Sequence, residues 1–184
     1  MSEIIFGVYN VNRKIYFDMD GVLADFKLGA SELAKELNCK IKSDEFWNAI
    51  KYSNEKFYAN LKPIDDILNL VYVLHKQNYD LNVISKVPHS CKTEAMMGKT
   101  IWLHKWCKGI FKNVIFVPTE NNKALYCKDK DILIDDNKNN IEEWNNNDGI
   151  GILYNKKQNK EYFVDFLTKV LAITDFINYK VKEK

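Results

Sequence analysis

Five short apolar segments, each closing on a polar turn, recur along the chain with helical patterns between them. They span residues 15–18, 80–85, 113–118, 131–136 and 150–154. Their length and β-branched content suit buried parallel strands. Helical spacing fills the intervals. Residues 64–77 carry Ile67, Leu70, Val71 and Leu74 on one face, and residues 92–107 carry an imperfect stripe of Met96, Lys99, Leu103 and Trp106. Residues 162–179 close the chain with Phe163, Phe166, Leu167, Val170 and Leu171. Strand–helix alternation of this kind predicts an α/β fold, a doubly wound parallel sheet.

One interval breaks the rhythm. Residues 26–63 are too long for a plain strand-to-helix connection. They read as helices over 30–37 and 43–51, the second opened by the N-cap signal Ser43-Asp44-Glu45-Phe46. The expected organisation is a core of residues 1–25 and 64–184, with a small helical cap over 26–63 inserted after the first strand. Residues 1–12 form either an extra strand or a loose arm. Residues 137–148, rich in asparagine, form a short helix and a loop.

The totals exclude several classes. With 27 basic and 25 acidic residues among 184, the net charge is +2, so there is no electrostatic case for nucleic acid or an anionic membrane as a general partner. Cys39, Cys91, Cys107 and Cys127 form no Cys-x-x-Cys pair, which argues against zinc and a disulfide framework and for idle thiols in a reducing compartment. The N-terminus lacks the marks of a signal peptide, and no run approaches a membrane span. The expected location is cytoplasmic. His75, His89 and His104 lack ligand spacing and read as ordinary histidines.

The chemistry gathers at the strand ends. The first strand delivers Asp18-Met19-Asp20-Gly21, the second ends at Ser85, and the fourth ends at Asp135-Asp136. Lys123 follows the third. In a parallel sheet these ends share one edge, where ligands bind. Carboxylates, a hydroxyl and a lysine there suit phosphate-ester hydrolysis. One carboxylate attacks phosphorus, a second moves the proton, a hard cation takes carboxylate oxygens, and lysine and hydroxyl hold the phosphoryl group. Lys99 reads as a helix-surface charge, with the alternative that it rather than Lys123 supplies the phosphate-binding lysine; the spacing to Asp135 favours Lys123. Phe46, Trp47, Phe57 and Tyr58 read as core packing, with a nucleobase slot as the alternative.

These residues resemble the haloacid-dehalogenase-like phosphatase superfamily. The signature is Asp18-Met19-Asp20-Gly21-Val22-Leu23, then Ser85 at a strand end, then a lysine, then Asp135-Asp136. Within the superfamily, Ala24-Asp25-Phe26, Phe46-Trp47, Asn60-Leu61-Lys62-Pro63, Lys99 with Trp102, and Leu133-Ile134-Asp135-Asp136 resemble the 5'(3')-deoxyribonucleotidases. The resemblance implies a Rossmann-like core that removes phosphate from (deoxy)nucleoside monophosphates through an aspartyl-phosphate. It implies Asp18 as nucleophile and Asp20 as general acid/base. Mg²⁺ would be held by Asp18, the Asp20 backbone carbonyl and Asp136, with Asp135 in support. Ser85 and Lys123 would hold the phosphate, joined by Lys86 in the substrate set, and Phe26, Phe46, Trp47 and Asn48 would line the nucleoside pocket. The family often forms homodimers. The chain departs from it at Lys86, where members often carry a small hydroxyl residue, and at Asn121-Asn122-Lys123, which replaces an Arg-Asp-Lys-like run and bears on base and sugar preference. Alternative readings are a phosphatase of another small metabolite or of a nucleic-acid 3' end, and a non-catalytic nucleotide-binding protein.

Overall fold

The computed structural model describes residues 13–128 and 130–155. The expected segment 1–12 and the helix expected over 162–179 lie outside them. Five strands form one all-parallel sheet: β1 (Lys14–Phe17), β2 (Asp80–Val87), β3 (Asn113–Pro118), β4 (Ile132–Asp135) and β5 (Ile150–Leu153), in the spatial order β3-β2-β1-β4-β5. β1 is central and pairs with β2 through Lys14↔Asp80 to Phe17↔Val83 and with β4 through Ile15↔Ile132 to Phe17↔Ile134. All five expected strands are present.

Alternation along β1 sends side chains to two separate cores. Ile15 and Phe17 join the larger one, with Leu81, Val83, Ile132 and Ile134, beneath α4 (Asp65–Lys76) and α5 (Lys92–Cys107). Tyr16 joins the smaller one, with Ile84, Leu133, Ile141 and Trp144, under α6 (Lys138–Asn146). Helices therefore cover both faces, which is why Ile15–Phe17 of β1 and Ile132–Ile134 of β4 are apolar in succession rather than alternating. α4 buries Ile67, Leu70, Val71 and Leu74 as its spacing predicts. α5 buries Lys99 and Leu103 of the expected stripe, together with Ala95, Gly98, Trp102 and Cys107. Met96 and Trp106 are only half-buried.

The inserted segment holds α1 (Phe26–Glu36), α2 (Asp44–Tyr52) and the single-turn α3 (Lys56–Ala59). α1 starts four residues earlier than expected because Asp25 caps it, its carboxylate accepting from Leu28 N at 3.2 Å. Ser43 caps α2 as its sequence signal predicts, accepting from Phe46 N at 3.3 Å. The two ends of the insertion are tied side by side, Asp25 N donating to Lys62 O at 2.8 Å and Ile64 N to Leu23 O at 2.9 Å. Trp102 of α5 reinforces this neck by donating from its indole to Leu61 O at 2.7 Å. Ala30, Phe46, Ile50 and Tyr58 belong to the same core cluster as β1, so the insertion shares the main core. Among the described residues, no helix is long and apolar enough to cross a membrane.

Candidate active site

The turn after β1 builds the floor of the site. Asp18 N still pairs with β4, donating to Ile134 O at 2.9 Å, and the chain then coils so that Met19 O accepts from Leu23 N at 3.0 Å and Ala24 N at 2.8 Å. Gly21 sits at φ +89°, a conformation side chains disfavour, and a Cβ there would collide with the Asp136 carboxylate. Glycine thus lets the tip of β1 close against the tip of β4.

Lys123, in the 3₁₀ turn after β3, links the two tips. Its ammonium donates to Asp18 Oδ1 and to Asp135 Oδ2, both at 2.7 Å. Asp135 is fully buried and also accepts from Asn137 N at 2.8 Å and from Asn140 Nδ2 at 3.0 and 3.1 Å. A second lysine serves Asp20. Lys99 Nζ donates to Asp20 Oδ2 at 2.7 Å, to Ser85 Oγ at 2.8 Å and to Lys86 O at 2.8 Å. Expectation placed Lys99 on a helix surface. It is instead fully buried, because Gly98 and Lys99 lie on the stripe of α5 that faces the core.

Four carboxylates (Asp18, Asp20, Asp135, Asp136) thus meet two ammonium groups (Lys99, Lys123), and the electrostatics register the imbalance. Burial pushes the Asp20 pKa up; Lys99 opposes this and Asp18 adds to it. Burial and Asp18 likewise raise Asp135, against the pull of Lys123. Asp136 is pushed up to about 7 by burial, Asp18 and Asp135. Burial alone would lower the Lys123 pKa, but Asp18 and Asp135 outweigh it and raise it. Excess buried negative charge with oxygen donors is what a hard divalent cation relieves. Asp18, Asp135 and Asp136 each offer a carboxylate oxygen, all within 4.8 Å of one another. Asp135 is already saturated with donors, so Asp18 and Asp136 are the ligands best placed, with Asp135 behind them. The residues present fit Mg²⁺.

A cavity of about 900 Å³ opens above this floor. Asp18, Asp20, Lys123 and Asp136 reach its wall, as do Phe26, Trp47 and Lys86 from the expected set. Three of the residues expected to contact substrate do not. Ser85 is fully buried under the wall with its Oγ taken by Lys99. Phe46 is fully buried in the core, edge-on to Trp47 at 5.1 Å and to Phe57 at 6.1 Å. Asn48 is exposed on α2 and lies off the wall. Helical phase explains both α2 departures: Phe46 and Ile50 share the core face, Trp47 stands about 100° round and meets the cavity, and Asn48 points a further 100° away.

Tyr58, read from the sequence as core packing with a nucleobase slot as the alternative, is fully buried just behind the wall and stacks on Phe26, with centroids 6.1 Å apart and planes 27° apart. Burial, then Asp20, raises its hydroxyl pKa far above the ordinary value. Lys42, His89 and Lys138 also line the wall. His89 and Lys138 sit just beyond the ends of β2 and β4, where position relative to a strand tip was the only available signal. Lys42 sits in the loop before α2 with φ +68°. Asn140 carries a clearer signal, an asparagine in the first turn of the helix that begins just past Asp135-Asp136.

No family model matches the sequence, and no curated protein matches it. Solved structures do. The chain is similar to a protein assigned as a phosphatase from Clostridium difficile, with a TM-score of 0.58 and 18% identity over 84% of this chain and 98% of that one. It is similar to L-2-haloacid dehalogenase from Xanthobacter autotrophicus, with a TM-score of 0.53 and 10% identity over 82% and 80%. It is also similar to a protein from Bacillus subtilis assigned as a HAD hydrolase and bound to magnesium, with a TM-score of 0.50 and 12% identity over 88% and 97%. At such identities the likeness shows the fold, a Rossmann-like α/β sheet of the haloacid-dehalogenase type.

Proposed function

We propose that the protein is a Mg²⁺-dependent phosphomonoester hydrolase that removes phosphate from (deoxy)nucleoside monophosphates through an aspartyl-phosphate on Asp18. The observation that carries this reading is the Asp18 carboxylate at the floor of the cavity, held by Lys123 at 2.7 Å, with a second carboxylic acid, Asp20, on the same wall. The fold it shares with phosphatases and dehalogenases supports the reading, since open α/β sheets bind ligands at the carboxyl ends of their strands, where this chain's acidic groups lie.

Each residue has work it can do. Lys123 orients Asp18 for attack on phosphorus. An ammonium has three donors, and two of those on Lys123 are committed to Asp18 and Asp135, which leaves one for a phosphoryl oxygen. Lys86, on the wall, adds positive charge near the same group. Asp20, its pKa raised by burial, is suited to give a proton to the leaving oxygen and later to take one from water. Asp18 and Asp136, supported by Asp135 and by the Asp20 backbone carbonyl, would hold Mg²⁺. Bound there, the ion supplies neutralisation of the phosphoryl charge.

The nucleotide assignment rests on the wall contributed by the inserted segment. The half-buried Phe26 and Trp47 offer aromatic surface on the same cavity as the carboxylates, and bases stack on such faces. The test is phosphate release from deoxy- and ribonucleoside 5'- and 3'-monophosphates and from simple phosphate esters, with and without Mg²⁺. Mg²⁺-dependent turnover that favours nucleotides supports the reading. Turnover of simple esters alone removes the nucleotide assignment, and absence of turnover removes the hydrolase.

A further inference from the structure

Lys99 lies on the buried stripe of α5 and none of it is exposed. Burying an ammonium costs several kcal/mol unless it is paired and hydrogen-bonded, and an apolar side chain in such a slot is often at least as stable. This one is fully satisfied: its three donors go to Asp20 Oδ2, Ser85 Oγ and Lys86 O, at 2.7, 2.8 and 2.8 Å. The Tyr58 ring centroid lies 5.2 Å from the same nitrogen. Gly98 permits that approach, because a Cβ there would collide with Glu55 O and the Tyr58 Cβ. β2, the turn after β1, and the insertion therefore converge on one ammonium.

Two consequences follow from counting donors. Lys99 has none left for a substrate and does not reach the cavity wall, so it is not built as a phosphate clamp. Asp20 is held by one oxygen only. Its Oδ2 belongs to Lys99, while its Oδ1 is buried with no hydrogen-bond partner among the described residues. A buried carboxyl oxygen without a partner calls for a reason, and the Asp20 side chain, 25% exposed, reaches the cavity wall through its other atoms.

We propose that Lys99 is a positioning residue for proton transfer: by pinning Asp20 Oδ2 to the end of β2, it fixes the carboxyl that exchanges the proton with substrate. This rests on the roles given above to Asp18 and Asp20. As an Asp18 oxygen bonds to phosphorus, the ester P–O bond breaks and the Asp20 carboxyl proton passes to the departing oxygen. When water then bonds to phosphorus, its proton passes to the Asp20 carboxylate and the bond from Asp18 to phosphorus breaks.

The test compares two esters in the presence of Mg²⁺. A deoxynucleoside 5'-monophosphate has an alkoxide leaving group that needs the proton; p-nitrophenyl phosphate has one that departs without it. In Lys99→Met, kcat/KM should fall about 100-fold for the nucleotide and less than about 5-fold for the aryl ester. Lys99→Arg keeps the charge that the buried carboxylate requires but not the three-donor geometry, so it should lose about 10-fold on the nucleotide and leave the aryl ester nearly unchanged. Equal losses on both esters in either variant, or no loss on the nucleotide, overturn the role of Lys99. Wild-type protein that hydrolyses neither ester refutes the hydrolase reading itself, and this role with it.

Discussion

The Asp18 carboxylate and the Lys123 ammonium lie 2.7 Å apart although 105 residues separate them in the chain. Asp18 leaves the tip of the central strand and Lys123 stands in the turn that follows an edge strand. The pair is nearly sealed from solvent, with side-chain exposures of 9% and 1%. Lys123 reaches Asp135 by the same ammonium, so one cation ties the tips of β1 and β4 together.

Removing that cation leaves two buried carboxylates facing each other. Lys123→Met should therefore cost about 3–5 kcal/mol of stability, the usual cost of breaking a buried ion pair from one side. Urea unfolding measures this directly. A loss under about 1 kcal/mol would mean that the pair is far better solvated than its burial indicates.

Asp18→Asn keeps the shape of the side chain and removes the nucleophile. The variant should fold, bind nucleotide, and lose more than about 10³-fold in phosphate release. Circular dichroism and nucleotide titration establish the first two properties. Near-normal turnover by a folded variant would exclude Asp18 as the attacking group.

Mg²⁺ stabilisation should grow with pH. Asp136 is raised from its ordinary 3.8 to about 7. A carboxyl with a raised folded pKa favours the fold in acid, and that contribution is lost as pH climbs from 3.8 towards about 7. A cation binding the ionised form offsets the loss. The increase in Tm on adding Mg²⁺ should thus be small near pH 5.5 and larger near pH 8. A shift independent of pH would place the ion away from Asp136.

Neighbours on α2 should separate packing from recognition. Phe46→Ala empties a fully buried site and should cost about 3–5 kcal/mol. Trp47→Ala alters a half-buried wall residue, so it should cost far less stability while raising KM for nucleotides and sparing p-nitrophenyl phosphate. Equal effects of Trp47→Ala on both substrates would remove the stacking role.

The strands were legible because a strand buried on both faces must be apolar along its length, and the polar residues that end such runs then mark the ligand edge. Asp18, Asp20, Asp135, Asp136 and Lys123 converge for that reason alone. Lys99 fell on the expected stripe yet was misread as a surface charge, because a lysine is rarely buried without partners and its partners, Asp20, Ser85 and Lys86 O, lie on other elements. Phe46, Trp47 and Asn48 are adjacent in sequence but differ by the turn of a helix. Sequence proximity grouped them where geometry puts only Trp47 on the wall. Ser85 sits at a strand end as expected, yet which way its hydroxyl is spent depends on Lys99, a partner fourteen residues away on another element.

The central claim is the covalent step at Asp18, and trapping tests it most directly. Protein mixed with nucleotide and Mg²⁺ is quenched during turnover, reduced with borohydride and digested, and the peptides are analysed by mass spectrometry. An acyl-phosphate on Asp18 is reduced to homoserine, so residue 18 alone should be converted, and Asp18→Asn should show no conversion. Steady phosphate release with no conversion at residue 18, or conversion at another carboxylate, would contradict the account.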